Sequence, residues 1–194
     1  STRRSVLFGL FFTSLILQLG MTSISPILTL YIRELSTDTG NVLFLSGLIV
    51  SVAGVSAVIS SPYLGRLGAR IGNPKILLLG LVFSFCCFIP MGLVTAPWQL
   101  GVLRFLLGFS TGALMPSVNT LISKITPPEG VSRIFGYNQM FNNFGQVLGP
   151  LVGSAVAQAY SYSVVFFVTA GFVLLNILLS LFNFRHDLKH QDIR

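Results

Sequence analysis

Three stretches of this chain, 5–32, 39–65 and 134–184, contain no Asp, Glu, Lys or Arg. Each is longer than the roughly 20 residues that carry a helix across a hydrocarbon core. A soluble domain must present charge to water on every side, and a chain with 53% hydrophobic and 9% charged residues cannot do so. Its mean hydropathy is +0.82, and the apolar pattern continues to the end instead of stopping after one short leader. The solvent it suits is a bilayer. No segment alternates apolar and polar residues as a barrel strand does, and lipid admits no open strand edge, so the spans are expected to be helices.

Cutting the apolar runs at polar, Pro and aromatic turns predicts six spans, near 6–32, 42–64, 76–95, 99–123, 134–158 and 163–184. The predicted fold class is therefore all-α integral membrane, with 1–194 forming one six-helix transmembrane bundle. Basic residues are retained on the cytoplasmic side. With both termini inside, Arg3, Arg4, Arg66, Arg70, Lys75, Lys124, Arg133, Arg185, Lys189 and Arg194 lie inside, which is ten of the twelve basic residues. Arg33 is outside and Arg104 within a span. Topology thus accounts for the net charge of +7, and no nucleic-acid partner is implied. Tyr31, Trp98, Tyr160 and Tyr162 fall at outer ends and Tyr63 and Tyr137 at inner ends, as an interfacial aromatic belt requires.

Polar residues inside spans are costly and need a reason. In the first span Ser14, Gln18, Thr22, Ser25 and Thr29 recur at spacings of four, four, three and four, which puts them on one helical face. The fifth span carries Asn138, Gln139, Asn142, Asn143 and Gln146, and the fourth Arg104, Asn119, Thr120 and Ser123. Hydrogen bonding between helices is one explanation; a water-filled substrate path is the other. Spans three and six are greasier and expected at the periphery, with span two offering Gly47, Ser51 and Gly54 for close packing. Arg104 lies about 10 Å beyond the Pro97 turn. It could snorkel to the outer headgroups or serve the interior.

Cys86 and Cys87 are adjacent within an apolar run and read as structural. His186 and His190 share a helical face, but beside Arg185, Asp187 and Lys189 they read as a solvated tail, so no metal and no cofactor are expected. No acidic pair or Ser, His and acid set lies within a span, and an enzyme is not expected.

Three motifs follow in order. Gly65-Arg66-Leu67-Gly68-Ala69-Arg70-Ile71-Gly72 resembles a cytoplasmic loop signature of the form Gly-x-Leu-Ala-Asp-Arg-x-Gly. Leu100-Gly101-Val102-Leu103-Arg104-Phe105-Leu106-Leu107-Gly108 resembles a motif built on an embedded Arg with Gly four residues later. Gly145-Gln146-Val147-Leu148-Gly149-Pro150-Leu151-Val152-Gly153-Ser154 resembles Gly-x-x-x-Gly-Pro-x-x-Gly-Gly. Physically, Gly145, Gly149, Gly153 and Ala157 sit four apart, so a neighbouring helix can approach closely, and Pro150 removes a backbone donor and should bend the helix.

On these motifs the chain resembles the major facilitator superfamily, in its drug:proton antiporter branch of multidrug efflux transporters. The stretches 26–31 and 99–105 carry the same likeness, which runs over nearly the whole chain. The resemblance implies one six-helix half of that fold. It also implies export of drugs or other amphiphilic small molecules by alternating access, in a bacterial inner membrane with both termini cytoplasmic. The Gly145, Gly149, Pro150 and Gly153 motif would seal or hinge the fifth helix. Gly65, Arg66, Arg70 and Gly72 would form a cytoplasmic gate loop, although Ala69 stands where the signature has Asp, which takes away the partner of Arg66 and Arg70. Ser154 replaces the last Gly. The weakened loop motif, the start at Ser1 and the charged tail favour helices seven to twelve.

The candidate cavity residues are Gln18, Thr22, Ser25, Arg104, Asn119, Asn142, Asn143 and Gln146. The expected partners are membrane lipid, a small-molecule substrate, and a complementary six-helix half or a second copy, with proton coupling through the missing half. A transporter of sugars or other metabolites, and a membrane interaction module that transports nothing, remain alternatives that a flux measurement separates.

Overall fold

A computed structural model describes residues 2–37 and 40–191, with side chains described over 4–37 and 40–184. The side chains of Arg3, Arg185, His186, Asp187, Lys189 and His190, and all of Asp38, Asp192 and Arg194, lie outside the described residues. Seven α-helices follow in order: α1 Thr2–Ser23, α2 Ser25–Leu35, α3 Val42–Ile71, α4 Asn73–Met91, α5 Pro97–Ile125, α6 Val131–Ala159 and α7 Tyr162–Gln191. A single 3-10 turn, Pro128–Gly130, precedes α6, and no strand occurs among the described residues.

The first expected span is broken in two. Pro26 has no N–H, and the amides of Ile27 and Leu28 both turn to the Ile24 carbonyl, at 3.1 and 3.0 Å, so α2 starts afresh. Five segments are long and apolar enough to cross a membrane: Arg4–Leu35, Val42–Ile71, Asn73–Met91, Pro97–Ile125 and Tyr162–Phe184. The sixth, α6, has 29 residues but carries the amides. It nonetheless passes through the same depth as α1. Near one end Phe141 stacks on Phe11 with ring centroids 5.3 Å apart, and near the other Gly153 abuts the Ser23 backbone.

Two parallel pairs, α1 with α6 and α3 with α5, pack along their lengths, and α4 and α7 lie behind them. The core between them is fully buried Leu77, Leu81, Phe88 and Met91 of α4, Leu100, Leu107, Leu114 and Ile122 of α5, and Phe166 of α7. The Tyr31 hydroxyl closes one end by donating to the Met91 carbonyl at 3.0 Å.

Two expectations need correction. The segment 65–75 is not a loop: α3 continues to Ile71, so Gly65, Arg66 and Arg70 lie on its final turns. One glycine does not stop a helix, whereas Gly72, with φ 100°, adopts the left-handed backbone that ends α3 and admits Pro74 at the start of α4. Nor do Gly47 and Gly54 provide close packing, since open space surrounds both and Ser51 is exposed. The packing edge of α3 is Ser56 and Ser60, which meet Gly108 and Gly112 of α5.

Candidate functional site

The glycine motif of α6 is the seat of α1. A Cβ at Gly145 would fall on the Leu15 carbonyl, one at Gly149 on the Thr22 hydroxyl, and one at Gly153 on the Ser23 carbonyl. The helices therefore touch backbone to backbone, the geometry that small residues at fourfold spacing permit. Thr22 turns its hydroxyl to the Gln18 carbonyl at 2.6 Å, with the Gly145 carbonyl of α6 at 3.4 Å. Pro150 lies inside α6, which runs on through it.

That seat divides the five amides of α6. Asn138 and Asn142 face inward with the glycines, 3% and 4% exposed, and each keeps a buried Oδ1 with no hydrogen-bond partner among the described residues. Gln139, Asn143 and Gln146 are exposed, and Gln139 donates to the Asn143 Oδ1 at 3.0 Å. Beside them stand Met140, Phe144 and Val147, so the open side of α6 presents amides and apolar groups together along a shallow cleft.

The α1 stripe is graded rather than uniformly hidden. Ser14 is wholly buried, Gln18 and Thr22 are half-buried, and Ser25 is exposed at the break before α2. On α5 Arg104 is half-buried, and its Nε is enclosed without a partner among the described residues. Asn119, four turns further along, is exposed. Thus Gln18 and Thr22 lie at the α1 and α6 seam, Asn142 is buried on the glycine face of α6, Asn143 and Gln146 share the open side of α6, and Arg104 and Asn119 stand apart on α5.

A second polar seam joins α1 to α7. Ser23 and Thr169 share a hydrogen bond at 3.0 Å, and Asn176 donates to the Thr13 carbonyl at 3.4 Å. Thr169, Asn176 and Ser180 are buried, so the sixth span is polar toward α1 and only its other face is peripheral. The signal was present in the sequence: Thr169, Asn176, Ser180 and Asn183, spaced seven, four and three, fall on one face.

The Major Facilitator Superfamily model matches residues 10–192. The chain is 54% identical over 192 residues to a multi-drug resistance efflux pump PmrA homolog of Lactococcus lactis, covering 99% of this chain and 47% of that protein. It is 51% identical over 175 residues to the multidrug resistance protein MdtG of Escherichia fergusonii, covering 90% of this chain and 43% of that one. It spans about half the length of the curated relatives it matches. The crystal structure of a peptide transporter, POT, in complex with sulfate aligns over 93% of this chain and 38% of its own with a TM-score of 0.82 at 22% identity, a likeness of fold. The chain belongs to the Major Facilitator Superfamily.

Proposed function

We propose that this chain is one half, helices seven to twelve, of a secondary transporter that exports drugs or other amphiphilic small molecules by alternating access. The observation that carries the reading is the open side of α6. Hydroxyls elsewhere in the spans, such as those of Thr13, Ser46 and Ser117, turn to a carbonyl of their own helix, whereas Gln139, Asn143 and Gln146 are exposed beside Met140, Phe144 and Val147. Uncovered amides are expensive against lipid and suited to a wall of a solvated cavity, with apolar neighbours for a lipophilic solute. The names of the two relatives support a drug as that solute.

A complementary half would supply the opposite wall, since superfamily halves rock about a midplane site. Gln18, Thr22, Ser25, Arg104, Asn119, Asn142, Asn143 and Gln146 are the residues assigned to the cavity. Gly145, Gly149, Pro150 and Gly153 are assigned to the hinge, and the α3 end, Gly65 to Gly72, to the cytoplasmic gate. The membrane is a bacterial cell (inner) membrane, and both termini are cytoplasmic on the argument that Arg66, Arg70, Lys75, Lys124 and Arg133 gather at one end of the bundle and Arg33 at the other. The test is efflux of a fluorescent cationic dye from cells expressing the full protein. Asn143→Ala with Gln146→Ala should slow efflux severalfold at unchanged expression; unchanged efflux would remove α6 from the path.

A further inference from the structure

We infer that the inner end of the bundle holds one anionic phospholipid, with its phosphate in a polar cleft beside Lys124 and Asn73 and an acyl chain in the apolar groove between α3 and α4. The inference rests on the membrane fold and not on which solute is exported.

The cleft has a volume of about 370 Å³ and is walled by the ends of α3, α4 and α5. Lys124 and Thr120 of α5 and Asn73 of α4 line it, and no carboxylate does. Asn73 is 7% exposed, and the little surface it keeps is on the cleft wall. Its amide and the Lys124 ammonium can both donate to an anion entering there. The surroundings favour one: Arg66, Arg70, Lys75 and Arg133 lie at the same end, against Glu129 as the acidic residue described there. Free phosphate could meet these donors too, but what adjoins the cleft decides for a lipid.

That neighbour is a groove of about 290 Å³ sharing Leu64 and Ala113 with the cleft and lined by apolar side chains, among them Leu67, Ile76, Leu79, Phe83 and Phe109. It opens outward, since Leu67, Leu79 and Phe83 are exposed, on the side of α5 away from its buried Leu100, Leu107 and Val118. From Asn73 to Phe83 the α4 axis rises about 15 Å. That is half of the roughly 30 Å hydrocarbon core, the depth of a single leaflet. A cationic, donor-rich head site at the membrane surface continuous with a leaflet-deep apolar groove matches a phospholipid and not a soluble anion.

The full protein, purified and equilibrated with equal amounts of phosphatidylglycerol and phosphatidylcholine, is examined by native mass spectrometry. One retained phosphatidylglycerol is expected. Lys124→Gln should weaken its retention about fivefold, the loss that one basic residue at an anionic surface implies. Lys124→Arg should preserve it. Leu79→Trp, at an exposed position that the core does not need, should block the groove and weaken retention as much. Equal retention of phosphatidylcholine overturns the inference, as does Lys124→Gln without effect. Displacement by millimolar inorganic phosphate together with indifference to Leu79→Trp overturns it in favour of a free-anion site.

Discussion

The hydroxyl of Ser61 on α3, 2.6 Å from the Ala57 carbonyl of its own helix, also reaches the carbonyl of Gly112 on α5 at 3.3 Å. Gly112 is the residue whose carbonyl an amide at position 116 would take, and Pro116 has none. In lipid no water replaces the missing donor. Ser61→Ala should therefore destabilise the α3 and α5 pair by about 0.6 kcal/mol, the average for hydrogen bonds between transmembrane helices. Restoring an amide with Pro116→Ala should erase most of that difference. Thermal unfolding in detergent measures both; an equal loss in the two backgrounds separates Ser61 from the proline.

Gly149 should be far less tolerant than Gly136. A Cβ at Gly149 meets the Thr22 hydroxyl, with the Leu19 carbonyl at 2.8 Å, whereas one at Gly136 meets nothing within 4 Å. Backbone cannot retreat as a flexible side chain can, so Gly149→Ala should cost about 1–3 kcal/mol as overpacking. Gly136→Ala removes a flexible residue from a helix interior and should stabilise by about 0.5–1 kcal/mol. Both are read as shifts in unfolding temperature, and equal shifts would mean that α1 and α6 are not in backbone contact.

The helices were legible because hydropathy and charge act along the chain, and the glycine motif because a spacing of four has one geometric meaning. What stayed hidden was direction about each helix axis. The amides Asn142 and Asn143 are neighbours in sequence, yet one packs under α1 and the other looks out, since adjacent residues stand about 100° apart. Gly47, Ser51 and Gly54 satisfied the rule for close packing, and nothing in the sequence said that α5 would instead take the face of Ser56 and Ser60. A helical α3 end was obscured because Gly65 and Gly68 resemble a turn. The stopping signal is the backbone of Gly72, a property of conformation and not of composition.

Arg104 should matter to export and not to folding. Its Nε is enclosed without a partner among the described residues, and an arginine in a span costs about 2.5–3.5 kcal/mol on insertion scales. Arg104→Leu should then raise the unfolding temperature while removing most drug export. A lower unfolding temperature with export retained would assign the residue to packing or to the headgroups.

Orientation is read by single cysteines in a background lacking Cys86 and Cys87, both of which lie within the α4 span. Cysteines at Ser36 and Asn41 should label from outside with an impermeant reagent, and one at Pro127 only after permeabilisation. Asn73 is too buried to report, so the exposed Arg70 on the final turn of α3 takes its place. Labelling of positions 36 and 70 from the same side would contradict the orientation.

Energy coupling should come from outside this chain. The acidic residues are Glu34, Asp38, Glu129, Asp187 and Asp192, and both histidines lie in the terminal segment at 186 and 190. Of the acidic side chains described, Glu34 and Glu129 are exposed, Glu34 at the end of α2 and Glu129 in the turn before α6. Proton carriers relay protons through carboxylates or imidazoles at membrane depth, where loss of water raises a carboxyl pKa toward the working range. Neither described acid has that setting, and in the sequence the other three fall outside the predicted spans, so this chain is expected to provide cavity wall and rocking surface while a complementary half binds the proton. Proteoliposomes containing the six-helix chain alone, given an inward-acid pH gradient, should not accumulate a fluorescent drug; those containing both halves should. Gradient-driven accumulation by the six-helix chain alone, lost in Arg104→Leu, would place coupling within these 194 residues and overturn the division between halves.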